Sequence, residues 1–197
     1  MVLQKLIEEG LLLIQAEPRH DLKLGFRCRF LASFDEINGV RSGHNKRVKL
    51  ATLSVEKVLP LWDSRFPADR SPNLALELAK KLLAGTISAT EVTRETSRLW
   101  AHCDDLLWDE DAQNAVMVGF GAIQVLKEAV SETHFGCENV NDESTDFDIE
   151  PHDSDSSFFA ASAYSHGAPW ESSSDQQKRL EFWTWWLTSA ASDATND

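Results

Sequence analysis

The sequence predicts an all-α protein, an antiparallel bundle of about six to seven helices with room for a short β-hairpin near the N-terminus. Three observations carry that expectation. Apolar residues recur at three- and four-residue spacing along most of the chain, and helix-ending signals fall where those runs stop. A hydrophobic fraction of 42%, with seven Trp and ten Phe, can fill an interior, and 197 residues suit one domain. The expected organisation is a single helical domain over 1–197, with 1–46 as an N-terminal extension and 136–157 as an acidic flexible insertion.

Leu3, Leu6, Ile7, Leu11 and Ile14 place a helix over Val2 to Ile14 that ends at Glu17-Pro18. The stretch from Asp21 to Phe34 is ambiguous. Alternation at Leu22, Leu24, Phe26, Cys28 and Phe30 argues strand, while its shortness leaves helix open. Asn38-Gly39 and Ser42-Gly43 are breaks, and Arg41, Lys46, Arg47 and Lys49 read as a solvated basic face.

Leu50, Leu53, Val58, Leu61 and Trp62 then mark a helix that Pro60 should bend or end, because proline lacks an N–H and crowds the preceding turn. After a turn over Phe66 to Arg70, Ser71 is expected to cap the next helix, with Pro72 at its first position and Gly85 closing it. Asp69 is an alternative cap and Arg70 can pair with an acid elsewhere. Ser88 and Glu91 have the spacing of a capping box for a helix that buries Val92, Leu99, Trp100, Cys103 and Leu106. Asp109-Glu110-Asp111 suits the positive end of the following helix, which runs to about Val130 with Gly119 and Gly121 as points of close helix approach. Phe158 to His166 is helical again, Gly167-Ala168-Pro169 breaks it, and QQKRLEFWTWWLTSA is a docking helix whose indoles need hydrogen-bond partners. Its competing reading is an exposed aromatic patch for a partner.

The net charge of −13 is concentrated. Between Glu128 and Gln177 there are twelve acids and no Lys or Arg. A field of that sign repels nucleic acid and suits a basic protein partner, with Asp142, Glu143, Asp146, Asp148, Asp153 and Asp155 as the candidate contacts. The spacing of Asp142, Ser144, Asp146 and Asp148 resembles calcium ligands, but Phe147 stands where an EF-hand loop needs glycine and no Glu follows at the twelfth place.

No window is apolar enough for a membrane span, and the glutamates in the N-terminal tract argue against a signal peptide. Three cysteines without CxxC spacing suggest reduced thiols, and together these features point to the cytoplasm. None of the six histidines lies in an HExxH or nucleophile-elbow context, so an enzyme is not expected and no cofactor is called for. His134, His152 and His166 would support a metal-dependent enzyme only if the fold gathered them. His102 beside Asp104 and Asp105 reads as a packing or surface residue. A general acidic module that mimics nucleic acid would require carboxylates along a rigid face.

VEKVLPLWDSRFPADRSPNLALELAKKLLAGTIS and the later KRLEFWTWWLTSA resemble the Imm5-type immunity proteins of bacterial polymorphic toxin systems. The positions that carry the resemblance are Val58 to Trp62, Asp69, Arg70, Pro72, Gly85, Arg179, Phe182, Trp183, Trp185, Trp186 and Leu187. The resemblance covers about Arg47 to Ala191 and adds nothing over the first forty residues. It implies an all-α protein that binds and occludes a cognate toxin, and it brings no catalytic residues; the charge of −13 fits a basic nuclease domain as the target. Trp62, Asp69, Arg70, Pro72, Phe182, Trp183 and Trp186 are expected to be structural.

Overall fold

In the computed structural model, which describes residues 2–131, 137 and 140–196, the α-helical segments are α1 Val2–Ala16, α2 Leu24–Asn38, α3 Val40–Arg65, α4 Ser71–Leu83, α5 Ala89–Leu106, α6 Gln113–Val130, α7 Ser156–Tyr164, α8 Gln176–Trp185 and α9 Ala191–Thr195. A π turn over Trp186–Ala190 joins the last two. The described residues contain nine α-helical segments and no strand. The count exceeds the expected six to seven because the stretch left open between strand and helix is α2 and the π turn divides the final helix.

The middle of the bundle is α6, which packs against α3, α4, α5 and α7. Its sequence explains the position, because Ala115, Val116, Val118, Ile123, Val125 and Leu126 are all buried and leave little polar surface. Gly119 lets the neighbours close in. A Cβ there would strike Cys103 Sγ on α5 and meet Trp62 of α3 at 3.0 Å. Three helices therefore meet at a position that only glycine fits.

The stretch near the N-terminus that leaves strand and helix open is α2, and the reason its sequence is ambiguous lies in its surroundings. Leu24, Gly25, Phe26, Arg27, Cys28, Phe30, Leu31, Ser33 and Phe34 are buried, so more than one side of the helix is covered. Its apolar positions consequently do not form the narrow stripe that signals an amphipathic helix. Residues 1–46 also share the core of the rest of the chain, through Leu6, Ile14, Leu22, Phe26, Phe30 and Phe34. Gly39 divides α2 from α3 at φ 77°, whereas Gly43 lies inside α3 and breaks nothing.

Pro60 does not end its helix. Val58 and Trp62, on either side of it, are buried, so packing holds α3 continuous to Arg65 despite the lost backbone donor. The basic face expected at the start of α3 is also corrected at one position. Arg47 is fully buried, with Asp35 and Glu128 as partners, the latter at 2.8 Å. Lys46 and Lys49 donate to the C-terminal carbonyls of Thr195 and Asn196.

Other ends follow the local chemistry. Gly85 closes α4 at φ 70°, and Ser88 and Glu91 form the reciprocal capping box of α5. Ser71 is the first residue of α4 rather than its cap; Asp69 Oδ1 accepts the Ser71 N–H at 2.8 Å. At the C-terminus, Phe182, Trp183, Trp186 and Leu187 are buried, so this segment completes the core and the exposed-patch reading falls. The indole N–H groups of Trp62, Trp183 and Trp186 donate to Asp69 O, Asp21 Oδ1 and Ser54 Oγ at 2.8, 3.2 and 3.0 Å.

Candidate functional site

The acidic segment is fastened to α2 by three nearby residues. The Gly25 N–H donates to Ser144 O at 3.0 Å, and a Cβ at Gly25 would fall onto the Asn141 carbonyl, so the segment lies directly on the helix. Arg27 is fully buried and bidentate to Asp146, Nη1 to Oδ2 at 2.9 Å and Nη2 to Oδ1 at 2.6 Å, while its Nε donates to Asp155 Oδ2 at 2.7 Å. Cys28 is bonded to Cys137 across 109 residues. The bond corrects the expectation of three reduced thiols, because folding brings together two cysteines whose distant positions gave no spacing signal.

Desolvation works against every charge at this node. Burial pushes Asp146 up, against the pull of Arg27. Burial opposes ionisation of Asp155 as well, but Arg27 and the donors of Ser157 and Phe158 outweigh it and hold that carboxyl below its ordinary range. Arg27, opposed by burial and supported by both carboxylates, is raised above the usual guanidinium value. The same Asp155 caps α7, accepting from the Ser157 and Phe158 N–H groups at 2.8 and 3.1 Å. Arg27 also lies over the Trp183 ring at 5.5 Å, which ties the node to α8.

The six candidate contact residues thus separate. Asp146 and Asp155 turn inward to Arg27. Asp142, Glu143 and Asp148 are exposed and Asp153 is half-buried. Glu143 pairs with Lys23 at 2.6 Å, Asp142 with Arg29 at 3.3 Å, and Asp153 lies 3.6 Å from His152. Asp148 accepts from the Thr145 N–H and Oγ1 at 2.6 and 3.0 Å, which holds its carboxyl below the usual range.

The other motif residues serve the corner between α3 and α4. Asp69 faces Ser71 on one oxygen and His102 of α5 on the other, at 2.6 Å. Burial opposes its charge, but these hydrogen bonds win and its pKa is lowered. His102 lies beside Asp104 and Asp105 in sequence, but the fold pairs it with Asp69, a contact no local pattern announces. Arg70 reaches Glu77 at 3.5 Å on the surface and Pro72 is buried in the first turn of α4. Arg179 is buried against Asp21, Ser165, Ser174 and the Gly167 carbonyl.

Nucleophilic chemistry finds little support at Cys103, whose thiol is pushed up to about 12 by burial and by Asp69. His152 and His166 face different partners: His166 meets Asn114 and Lys178, at 3.3 and 2.6 Å. His134 lies outside the described residues. Among the described residues, no three His, Cys, Asp or Glu side chains are grouped to hold a metal, and no helix is long and apolar enough to cross a membrane.

The described residues thus form an all-α scaffold whose buried charges serve its own packing. The chain belongs to the family described as Immunity protein Imm5, whose model matches residues 7–193. The match extends the resemblance from Arg47 back through α2 and most of α1. None of the curated proteins compared with the chain matches it.

Proposed function

We propose that this protein binds a cognate toxin domain in the cytoplasm of the producing cell and neutralises it by occlusion. Family membership over residues 7–193 is the observation that carries the reading. The exposed carboxylates of Asp142, Glu143 and Asp148, joined at the edge by Asp153, favour a basic toxin surface, as nucleases present, through complementary charge that raises the association rate. The protein acts on this reading as an inhibitor with no catalytic step of its own. In a reducing cytoplasm the Cys28–Cys137 bond would be open for much of the time. The ion pairs of Arg27 then keep the acidic segment on α2 without it.

The test is co-expression. The C-terminal domain encoded by the neighbouring open reading frame is expressed alone and with this protein, and growth is scored. Relief of toxicity together with a stable complex on gel filtration supports immunity; toxicity that persists beside the folded protein overturns it for that pair.

A further inference from the structure

The turn Thr145 to Asp148 holds a phenylalanine out in water. Phe147 is 65% exposed although the residue before it, Asp146, is buried and gripped by Arg27. The turn is closed by hydrogen bonds in both directions, Asp148 N–H to Thr145 O at 3.0 Å and Thr145 N–H to Asp148 Oδ2 at 2.6 Å. The ring of Phe147 packs against that of Trp170, 39% exposed, with centroids 4.1 Å apart. Trp170 in turn stacks on buried Phe158 of α7 at 5.7 Å. The pair is therefore a two-ring apolar surface supported from beneath by Phe158, and Phe147 follows directly on Asp146, which Arg27 holds.

Asp148 and Glu171, each one residue from a ring, are exposed, as are Asp142, Glu143 and Glu150 of the same lysine- and arginine-free segment, while Glu17, Arg19, Asp21 and Lys23 line the hollow beside the rings. Aromatic side chains held in place lose little freedom on binding, and interfaces draw most of their energy from such anchors inside a polar rim. The geometry points to Phe147 and Trp170 as the anchor that enters an apolar pocket on a basic toxin domain, with the exposed acids of the same segment steering the approach. This inference rests on the immunity reading and adds to it the place where the partner is held. The acids set how fast the complex forms; the rings set how long it lasts.

The experiment measures binding kinetics between the intact protein and the toxin domain of the neighbouring gene. Phe147→Ala is the main variant, because its side chain is mostly exposed and its loss should leave the melting temperature unchanged. It should weaken the complex by about thirty-fold or more, mainly through faster dissociation. Trp170→Phe, which keeps a ring on Phe158, should lose less. The triple change D142N/E143Q/D148N should slow association and flatten its salt dependence, with dissociation nearly constant. Trp108→Ala is the control, since Trp108 is an 89% exposed indole at the corner after α5. Affinity of Phe147→Ala within twofold of the intact protein, or a loss confined to Trp108→Ala, overturns the anchor while immunity stands. Failure of the intact protein to bind and rescue would overturn both.

Discussion

Two aspartates organise two regions of this molecule, and they do so at very different separations along the chain. Asp69 holds the corner between α3 and α4, taking the N–H of Ser71 two residues on and the ring of His102 on α5. Asp146 holds the acidic segment to α2 through Arg27, 119 residues away. The first site is half-open to water, the second is sealed, with side-chain exposures of 0% for Arg27 and 1% for Asp146. A surface-facing carboxylate can be lost at modest cost, whereas a sealed pair is costly to break because the remaining charge has no water to turn to.

The largest effect should follow from Arg27→Met. It leaves Asp146 and Asp155 facing each other in the interior, and unfolding by urea should show a loss of about 3–5 kcal/mol. Changing Arg27 and Asp146 together to apolar residues of similar volume should recover much of that loss. If the single and double variants lost equal stability, the charge would not be the cause and the contrast between the two regions would fail.

Cleavage of the Cys28–Cys137 bond should come next. It closes 109 residues of chain and so restricts the unfolded state, and reduction should lower stability by about 2–4 kcal/mol. Alkylation before and after reduction, followed by mass analysis of the peptides, identifies the bond. Because Arg27 is beside Cys28 and acts on the same segment, reduced Arg27→Met should lose more than the sum of the two separate changes if the fastenings share a load.

The same difference in separation decides what could be read in advance. Gly85, the Ser88–Glu91 box, and the aromatic spacing of α8 act within a few residues, and each leaves a pattern in the text. Arg27, Arg47 and Cys28 reach Asp146, Glu128 and Cys137 across 80 residues or more, and nothing near them reports it. That is why Arg47 reads as a solvated base and α2 as ambiguous between strand and helix: burial on several sides erases the stripe on which a helix is recognised. The candidate contacts divided for the same reason. Charge counts found the acidic segment, but only the fold assigns Asp146 and Asp155 inward and leaves Asp142, Glu143 and Asp148 outside.

The smallest effect belongs to the corner, and pH gives it a signature that a packing defect would lack. The pKa of Asp69 is lowered in the folded protein: burial opposes its charge, but the Ser71 and His102 hydrogen bonds prevail. A depressed folded value means that its stabilisation is complete above the unfolded carboxyl range, near 4, and disappears as the pH falls through the folded value. Asp69→Asn keeps an acceptor for Ser71 but removes the charge facing His102. Because His102 is 40% exposed, water screens the pair and the loss near pH 6 should be only about 0.5–1 kcal/mol. Urea titrations of both proteins at descending pH should show the difference shrinking toward zero below about pH 4, as the native Asp69 takes up its proton. A gap that stayed constant down to pH 3 would mean that the asparagine disturbs packing at the corner, and that Asp69 acts there by shape rather than by charge.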